Sequence, residues 1–151
     1  MNVTIIYSTQ SGSTSTAAEM VADTLKTAGH TVTICSALET TKDTVAPFDV
    51  LVVGSPSWEI DGKDGQPLPE VIALLEAMPK EAFVNKKVAV FGLGDETYTH
   101  FCGGVDVINT KLAQKGVTPF VEPLRIDRYY STHDNQTKLV EWAQTLGKSI
   151  L

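Results

Sequence analysis

The sequence predicts an α/β fold, in which an open, five-stranded parallel sheet carries helices on both faces as a three-layer sandwich. Five short apolar or β-branched runs alternate with segments of helical periodicity, which is the pattern of such sheets. The third run, residues 50–53, is apolar on both faces, as a central parallel strand must be. The length of 151 residues suits one core. We therefore predict a single domain over residues 1–151.

The first half of the chain supplies three strands and two helices. The first helix is predicted to end at Gly29, because glycine commonly follows the last helical turn. The segment from Ser55 to Pro69 is polar and too long for an ordinary connection, which favours a functional loop. In order, the predicted elements are a strand at 3–7, a helix from about 14 to 28, strands at 31–35 and 50–53, and a helix from about 68 to 78.

The second half supplies two strands and two helices. We predict a strand at 87–93, a polar loop at 94–100, a helix from about 102 to 114, a strand at 118–124 and a final helix through Leu139, Ala143, Leu146 and Ile150. Parallel sheets bind ligands at the carboxyl ends of their strands. The loops after the first, third and fourth strands meet there and have the least ordinary composition, so we expect the functional site in them.

Charge and composition restrict the partners. The chain has 12 Lys and Arg against 18 Asp and Glu, a net charge of −6, which disfavours nucleic acid and anionic membranes and favours a partner with a basic surface. No apolar run approaches the roughly 20 residues of a membrane span. The start of the sequence lacks a signal-peptide pattern, so we expect a cytoplasmic protein with its two cysteines, Cys35 and Cys102, reduced.

The loop after the first strand has the character of an anion site. Its amides and the positive end of the following helix dipole face any bound group, and four of its six residues carry hydroxyls. It lacks the lysine of nucleotide triphosphatases and the Gly-x-Gly-x-x-Gly spacing of dinucleotide sites. A phosphate held without a cation suits a permanent cofactor; the alternative is that the hydroxyls only cap the helix. The residues are Thr9, Gln10, Ser11, Gly12, Ser13 and Thr14.

Two aromatic residues occupy the other two loops. Trp58 follows the central strand and Tyr98 follows the fourth, both in polar surroundings where a large ring is costly to expose. Because the loops lie at one sheet edge, the two rings can sandwich a planar group. The alternative is that Trp58 packs on its own loop and Tyr98 covers the core.

The whole chain resembles the short-chain flavodoxins. The resemblance is carried by residues 6–14, by 54–58, by 91–95 with its continuation through Tyr98 and 101–103 to Asp106, and by 124–127, and no long insertion interrupts the fifth strand. It implies the strand order 2-1-3-4-5 and a monomer that carries noncovalent FMN as a low-potential one-electron carrier between a reductase and an acceptor enzyme. Such a carrier has no substrate turnover of its own.

The resemblance also implies the cofactor contacts. The phosphate would lie on residues 9–14, the flavin ring between Trp58 and Tyr98, and its pyrimidine edge against backbone near Asp95 and Cys102. The full set is Thr9, Gln10, Ser11, Gly12, Ser13, Thr14, Pro56, Ser57, Trp58, Glu59, Leu93, Gly94, Asp95, Tyr98, His100, Phe101 and Cys102.

Acidic residues crowd the predicted rim of the flavin. Reduction adds negative charge to the flavin, so these carboxylates should lower the midpoint potential of the second electron and attract basic partners. The alternative is that they form only a solvated face. They are Glu59, Asp61, Asp64, Asp95 and Glu96.

Three features depart from the family pattern. Glu59 stands where glycine is common, and because positive φ is costly for Glu we expect a less stabilised one-electron-reduced state. His100 stands where an aromatic is common and could couple proton uptake to reduction, or be only an exposed loop histidine. Residues 61–66 form a slightly long segment, which leaves open which of them flanks the ring.

Three other functions are alternatives to general electron transfer. A flavodoxin-like accessory protein dedicated to one metalloenzyme or one maturation system has the same sequence pattern. A phosphoacceptor response regulator needs acidic residues after the first strand and an Asp after the third, where this chain has 8–10 (Ser-Thr-Gln) and 54–55 (Gly-Ser). A flavin reductase using NAD(P)H needs a second nucleotide site, for which the chain has little room.

Overall fold

The fold is taken from a computed structural model that describes residues 1–97, 99–131 and 133–150. The elements are β1 (Asn2–Tyr7), α1 (Ser13–Thr27), β2 (Thr31–Ser36), β3 (Val50–Pro56), β4 (Trp58–Ile60), β5 (Lys63–Gln66), α2 (Pro69–Ala77), a 3₁₀ helix (Lys80–Phe83), β6 (Lys87–Gly94), α3 (Gly103–Gln114), β7 (Leu124–Asp127) and α4 (Asp134–Ser149).

Five strands form one parallel sheet in the order β2-β1-β3-β6-β7. Counting only these strands, the order is 2-1-3-4-5, which confirms the predicted topology. The register joins Ile6 to Val53 and Val53 to Val90, so the three central strands end at one level. Their carboxyl ends therefore open into loops at the same edge of the sheet.

Helices cover both faces of the sheet, which confirms the three-layer prediction. Val50 and Val52 of β3 pack in the core shared with α1 and α4, whereas Leu51 and Val53 pack in the core shared with α2 and α3. This alternation is what a strand buried on both sides requires. Among the described residues, no helix combines the length and the apolarity needed to cross a membrane.

The prediction for the last strand, at 118–124, was wrong. Phe120 donates its amide to the Val88 carbonyl at 3.0 Å, and Pro119 forms a single bridge to Val88 before the chain leaves the sheet. Regular pairing with β6 begins only at Leu124. Prolines 119 and 123 lack the N–H that a ladder needs, so they interrupt the strand that the apolar pattern predicts.

The predicted long polar loop contains a hairpin. β3 extends to Pro56, and β4 pairs antiparallel with β5, with Trp58 opposite Gln66. The two-residue turn is Asp61 and Gly62, both at positive φ (51° and 79°), as hairpin turns of this length favour. The hairpin was missed because its strands are polar and short, so no period-two pattern marks them.

Candidate functional site

A cavity of about 500 Å³ lies at the carboxyl edge of the sheet, within the range of small-molecule sites. It is bounded by the loops after β1, β3, β6 and β7 and by the β4–β5 hairpin. The residues that line it are Thr9, Gln10, Ser11, Ser13, Thr14, Pro56, Ser57, Trp58, Glu59, Asp64, Leu93, Gly94, Asp95, Arg128 and Tyr129.

The loop after β1 presents an open helix N-terminus to this cavity. Gly12 precedes α1 in the left-handed region (φ 95°), and its amide donates to Thr9 Oγ1 at 2.9 Å, which fixes the turn. No side chain of the described residues caps α1 at Gly12. Apart from the bond that the Thr9 hydroxyl accepts from Gly12, the alternative that these hydroxyls cap the helix is not supported, and the first turn of α1, beside the cavity, has no side-chain cap among the described residues.

Thr14 supplies the test of whether this loop suits a phosphate. Its side chain is 1% exposed, and its Oγ1 has no hydrogen-bond partner among the described residues, although the residue lines the cavity. A buried hydroxyl left unsatisfied costs about 1–3 kcal/mol. A phosphate oxygen would remove that cost, so the residues present fit a phosphorylated cofactor.

Hydrogen bonds hold the loop after β3, and its Trp58 lines the cavity. Ser55 Oγ accepts the Leu68 amide at 3.1 Å, which fastens the start of the loop. The Ser57 amide donates to the Leu93 carbonyl at 2.9 Å, and Ser57 Oγ accepts the Gly104 amide at 2.9 Å. Trp58 follows and remains 42% exposed while lining the cavity. A rigid backbone therefore holds a large ring that protein atoms only partly cover.

The loop after β6 is shaped by two carboxylates. Asp95 Oδ1 accepts the amide and the hydroxyl of Thr97 at 2.8 and 2.7 Å, and these hydrogen bonds lower the pKa of Asp95. Asp127 Oδ1 accepts the Glu96 amide at 2.8 Å, which lowers the pKa of Asp127 together with the bond from Arg128. The hydrogen bonds to Asp95 and Asp127 favour their charged forms, so both side chains are anionic at neutral pH.

Five of the predicted cofactor contacts are not among the described residues that line the cavity. Gly12, His100 and Phe101 do not contribute to the lining, and Tyr98 lies outside the described residues, so its place opposite Trp58 stays a prediction. Cys102 also lies off the cavity: its Sγ is buried 3.6 Å from the Gly92 carbonyl, and burial raises its pKa to about 12. Only the backbone of Cys102 can serve the predicted contact.

His100 meets the hairpin rather than the cavity. Its amide and its Nδ1 lie 3.2 and 3.4 Å from Asp64 Oδ2, and the imidazole is largely exposed. Of residues 61–66, Asp64 lines the cavity, so it is the one we expect beside the ring. The pair ties the hairpin to the loop after β6.

Sequence reasoning missed Arg128 and Tyr129. Both line the cavity, because β7 ends at Asp127 and the residues after it emerge at the carboxyl edge. The rule that ligand sites lie after parallel strands would have found them. Placing the last strand at 118–124 ended it three residues too early and directed attention away from this loop.

The architecture and the cavity agree with the comparisons. The family model described as Flavodoxin matches residues 5–142. The chain belongs to the flavodoxin family. A flavodoxin of Maridesulfovibrio salexigens is 30% identical over 150 residues, which cover 97% of each chain. A flavodoxin of Nitratidesulfovibrio vulgaris is 32% identical over 127 residues, which cover 83% of this chain and 84% of the relative.

A solved structure shows the same fold. Oxidised Flavodoxin 2 from Bacillus cereus superimposes with a TM-score of 0.84 at 25% identity, over 99% of each chain. Flavodoxins bind FMN and transfer electrons, and this chain shares that cofactor and that role with the family.

Proposed function

We propose that the cavity at the carboxyl edge of the sheet holds FMN and that the chain uses it as a low-potential, one-electron carrier. One observation carries the placement: Thr14, which lines this cavity at an uncapped helix N-terminus, has a buried hydroxyl without a partner among the described residues. A phosphate monoester satisfies both the hydroxyl and the helix dipole without a cationic side chain. FMN, when bound, supplies the redox chemistry of the protein.

The loops divide the binding between them. Residues 9–14 hold the phosphate, Trp58 covers one face of the ring, and Tyr98 is proposed for the other. The backbone of Gly94 and Asp95 lines the cavity and borders the ring edge. The pinned Ser57 backbone keeps Trp58 in place before the cofactor arrives, so little ordering cost remains for binding.

We further propose that reduction is tuned by charge at the rim. Glu59, Asp64 and Asp95 line the cavity and disfavour added negative charge, whereas Arg128 is the cationic side chain in the lining. The acids outnumber the cation, so the second electron is added at low potential. Asp61 and Glu96 belong to the predicted rim but do not line the cavity.

The carrier acts with redox partners, and we propose that these are a reductase and an acceptor enzyme that dock on the acidic rim. The net charge of −6 supports a basic partner surface and a transient encounter. We propose a cytoplasmic monomer without substrate turnover; the unpaired cysteines Cys35 and Cys102 support a reducing compartment.

The test begins with the absorption spectrum of the purified protein and identification of the flavin after acid release. The apoprotein is then titrated with FMN and with riboflavin, using the parent and Thr14→Val. We expect the substitution to weaken FMN about tenfold or more and riboflavin little, because only FMN carries the phosphate. A colourless protein that binds no FMN would refute the proposal. Rapid reduction by NAD(P)H alone would indicate a reductase instead of a carrier.

A further inference from the structure

A second orphan hydroxyl belongs to Tyr129, a residue that lines the same cavity. Tyr129 is 5% exposed, and its hydroxyl has no hydrogen-bond partner among the described residues. Tyr129 belongs to the buried cluster that contains residues of α1 and α4. A phenylalanine would fill that space without the cost of a buried unpaired hydroxyl. The hydroxyl is therefore best explained by a hydrogen bond to a ligand atom, since the described residues provide no partner.

The backbone, and not the hydroxyl, fixes the position of this tyrosine. Buried Asn135 donates from Nδ2 to the carbonyls of Asp127, Arg128 and Tyr129 at 2.9, 2.9 and 3.3 Å. The Arg128 amide donates to the Gly94 carbonyl at 2.7 Å, and Arg128 itself takes a left-handed conformation (φ 45°). The loop after β7 is thus anchored to α4 and to β6 before any ligand binds.

The neighbours of this loop indicate which part of a ligand it meets. Tyr129 packs in one cluster with Ala17 and Ala18 of α1, the helix whose first turn carries Thr14. The adjacent Tyr130 places its hydroxyl 3.5 Å from Thr16 Oγ1, also in the first turns of α1. The loop after β7 therefore lies beside the anion-binding end of α1. The oxygens of a ligand closest to that end belong to its phosphorylated tail.

We propose that the Tyr129 hydroxyl donates a hydrogen bond to an oxygen of the ribityl phosphate tail of FMN, so that the loop after β7 forms a fourth wall of the site. This inference rests on the proposed function. Burial raises the pKa of Tyr129, so the phenol keeps its proton and acts as a donor at neutral pH. The contact would make Tyr129 a binding residue outside the three loops that the sequence singled out.

The test compares Tyr129→Phe with Tyr130→Phe. Each substitution removes one phenolic oxygen from the same loop, but Tyr130 is exposed and its hydroxyl faces Thr16. We expect Tyr129→Phe to raise the dissociation constant of FMN about tenfold, which is the effect of one lost hydrogen bond. Lumiflavin has the ring without the tail, so its binding should not change. Tyr130→Phe should leave both affinities as in the parent.

A second readout separates ligand binding from structure. Because the hydroxyl has no protein partner, Tyr129→Phe should not lower the free energy of unfolding of the apoprotein. Equal FMN affinity in Tyr129→Phe and the parent would overturn the inference, and so would an equal loss of FMN and lumiflavin. A parent that binds no FMN would instead overturn the proposed function itself, so the two failures are distinguishable.

Discussion

Charged side chains of opposite sign meet at the mouth of the cavity, where single residues set the energy of added charge. Asp95 and Arg128 both line it, and Arg128 is paired with Asp127 at 3.0 Å. The acids at this edge were predictable, since they stand in the loops that the fold brings together. Arg128 was missed, because the last strand was predicted to end at 124 and not at Asp127, so the loop after it was not considered.

These two residues should shift the second-electron midpoint potential in opposite directions. We expect Asp95→Asn to raise it and Arg128→Gln to lower it, because a nearby negative charge opposes the charge added by reduction and a positive one favours it. Spectroelectrochemical titration measures both. Glu81→Gln, in the 3₁₀ helix that precedes β6 at the opposite edge, is the control and should shift nothing. Shifts of equal sign in both variants would contradict the electrostatic account.

Asp127 should make the apoprotein sensitive to acid. Its folded-state pKa is lowered by the Glu96 amide and by Arg128, so the carboxylate stabilises the fold above its unfolded pKa of about 3.9. That contribution is lost as pH falls through the lower folded-state value. We expect Asp127→Asn to have a lower free energy of unfolding than the parent at pH 6. Its free energy of unfolding should then fall less than that of the parent between pH 6 and pH 3. Urea unfolding at pH 6 and pH 3 measures these free energies. Equal decreases in the variant and the parent would disprove this role of Asp127.

At the scale of elements, regular periodicity decided what the sequence could predict. The helices and four of the strands were placed within a few residues, because their apolar or β-branched residues recur at regular spacing. The β4–β5 hairpin was not predicted, because its strands are short and polar. The position of β7 was wrong, because prolines 119 and 123 delay regular pairing with β6 until Leu124. Both elements adjoin the cavity, and the misplaced last strand also hid Arg128 and Tyr129.

The hairpin depends on a close approach of two glycines. Gly65 has φ 69°, and a Cβ placed on Gly103 would lie 2.6 Å from the Gly65 carbonyl oxygen. Gly103→Ala should therefore push the hairpin from the start of α3 and cost about 1–3 kcal/mol of stability, with weaker FMN binding. Gly147→Ala is the control, since its Cβ would meet neighbours at an ordinary 3.4 Å. Equal free energies of unfolding in the two variants would contradict the prediction.

At the scale of the whole molecule, the sequence predicted the architecture because one chemical pattern, alternating apolar strands and helices, repeats along the chain. It also predicted an acidic protein, with a net charge of −6. It did not predict how this charge is arranged, since pairs such as Arg125 with Asp106, at 2.6 Å, form only after folding. Long-range attraction to a partner depends on the net charge and is less sensitive to such local pairs.

Electron transfer with a basic partner should therefore depend on salt. We expect the second-order rate constant to fall at least severalfold between low ionic strength and about 0.5 M salt, because screening shortens the range of attraction. Stopped-flow mixing of the reduced protein with a basic acceptor such as a positively charged cytochrome measures it. An uncharged small-molecule oxidant is the control. A rate that rises with salt would rule out attraction through the acidic surface.

The Asn135 amide joins α4 to the loop after β7, while the loop of residues 9–14 lies in the first part of the sequence. The cavity is therefore complete only when residues more than a hundred positions apart in sequence have come together. A growing polypeptide on the ribosome lacks this last wall until α4 has emerged from the exit tunnel. Tight capture of the vitamin-derived coenzyme must accordingly wait until α4 has been made and packed.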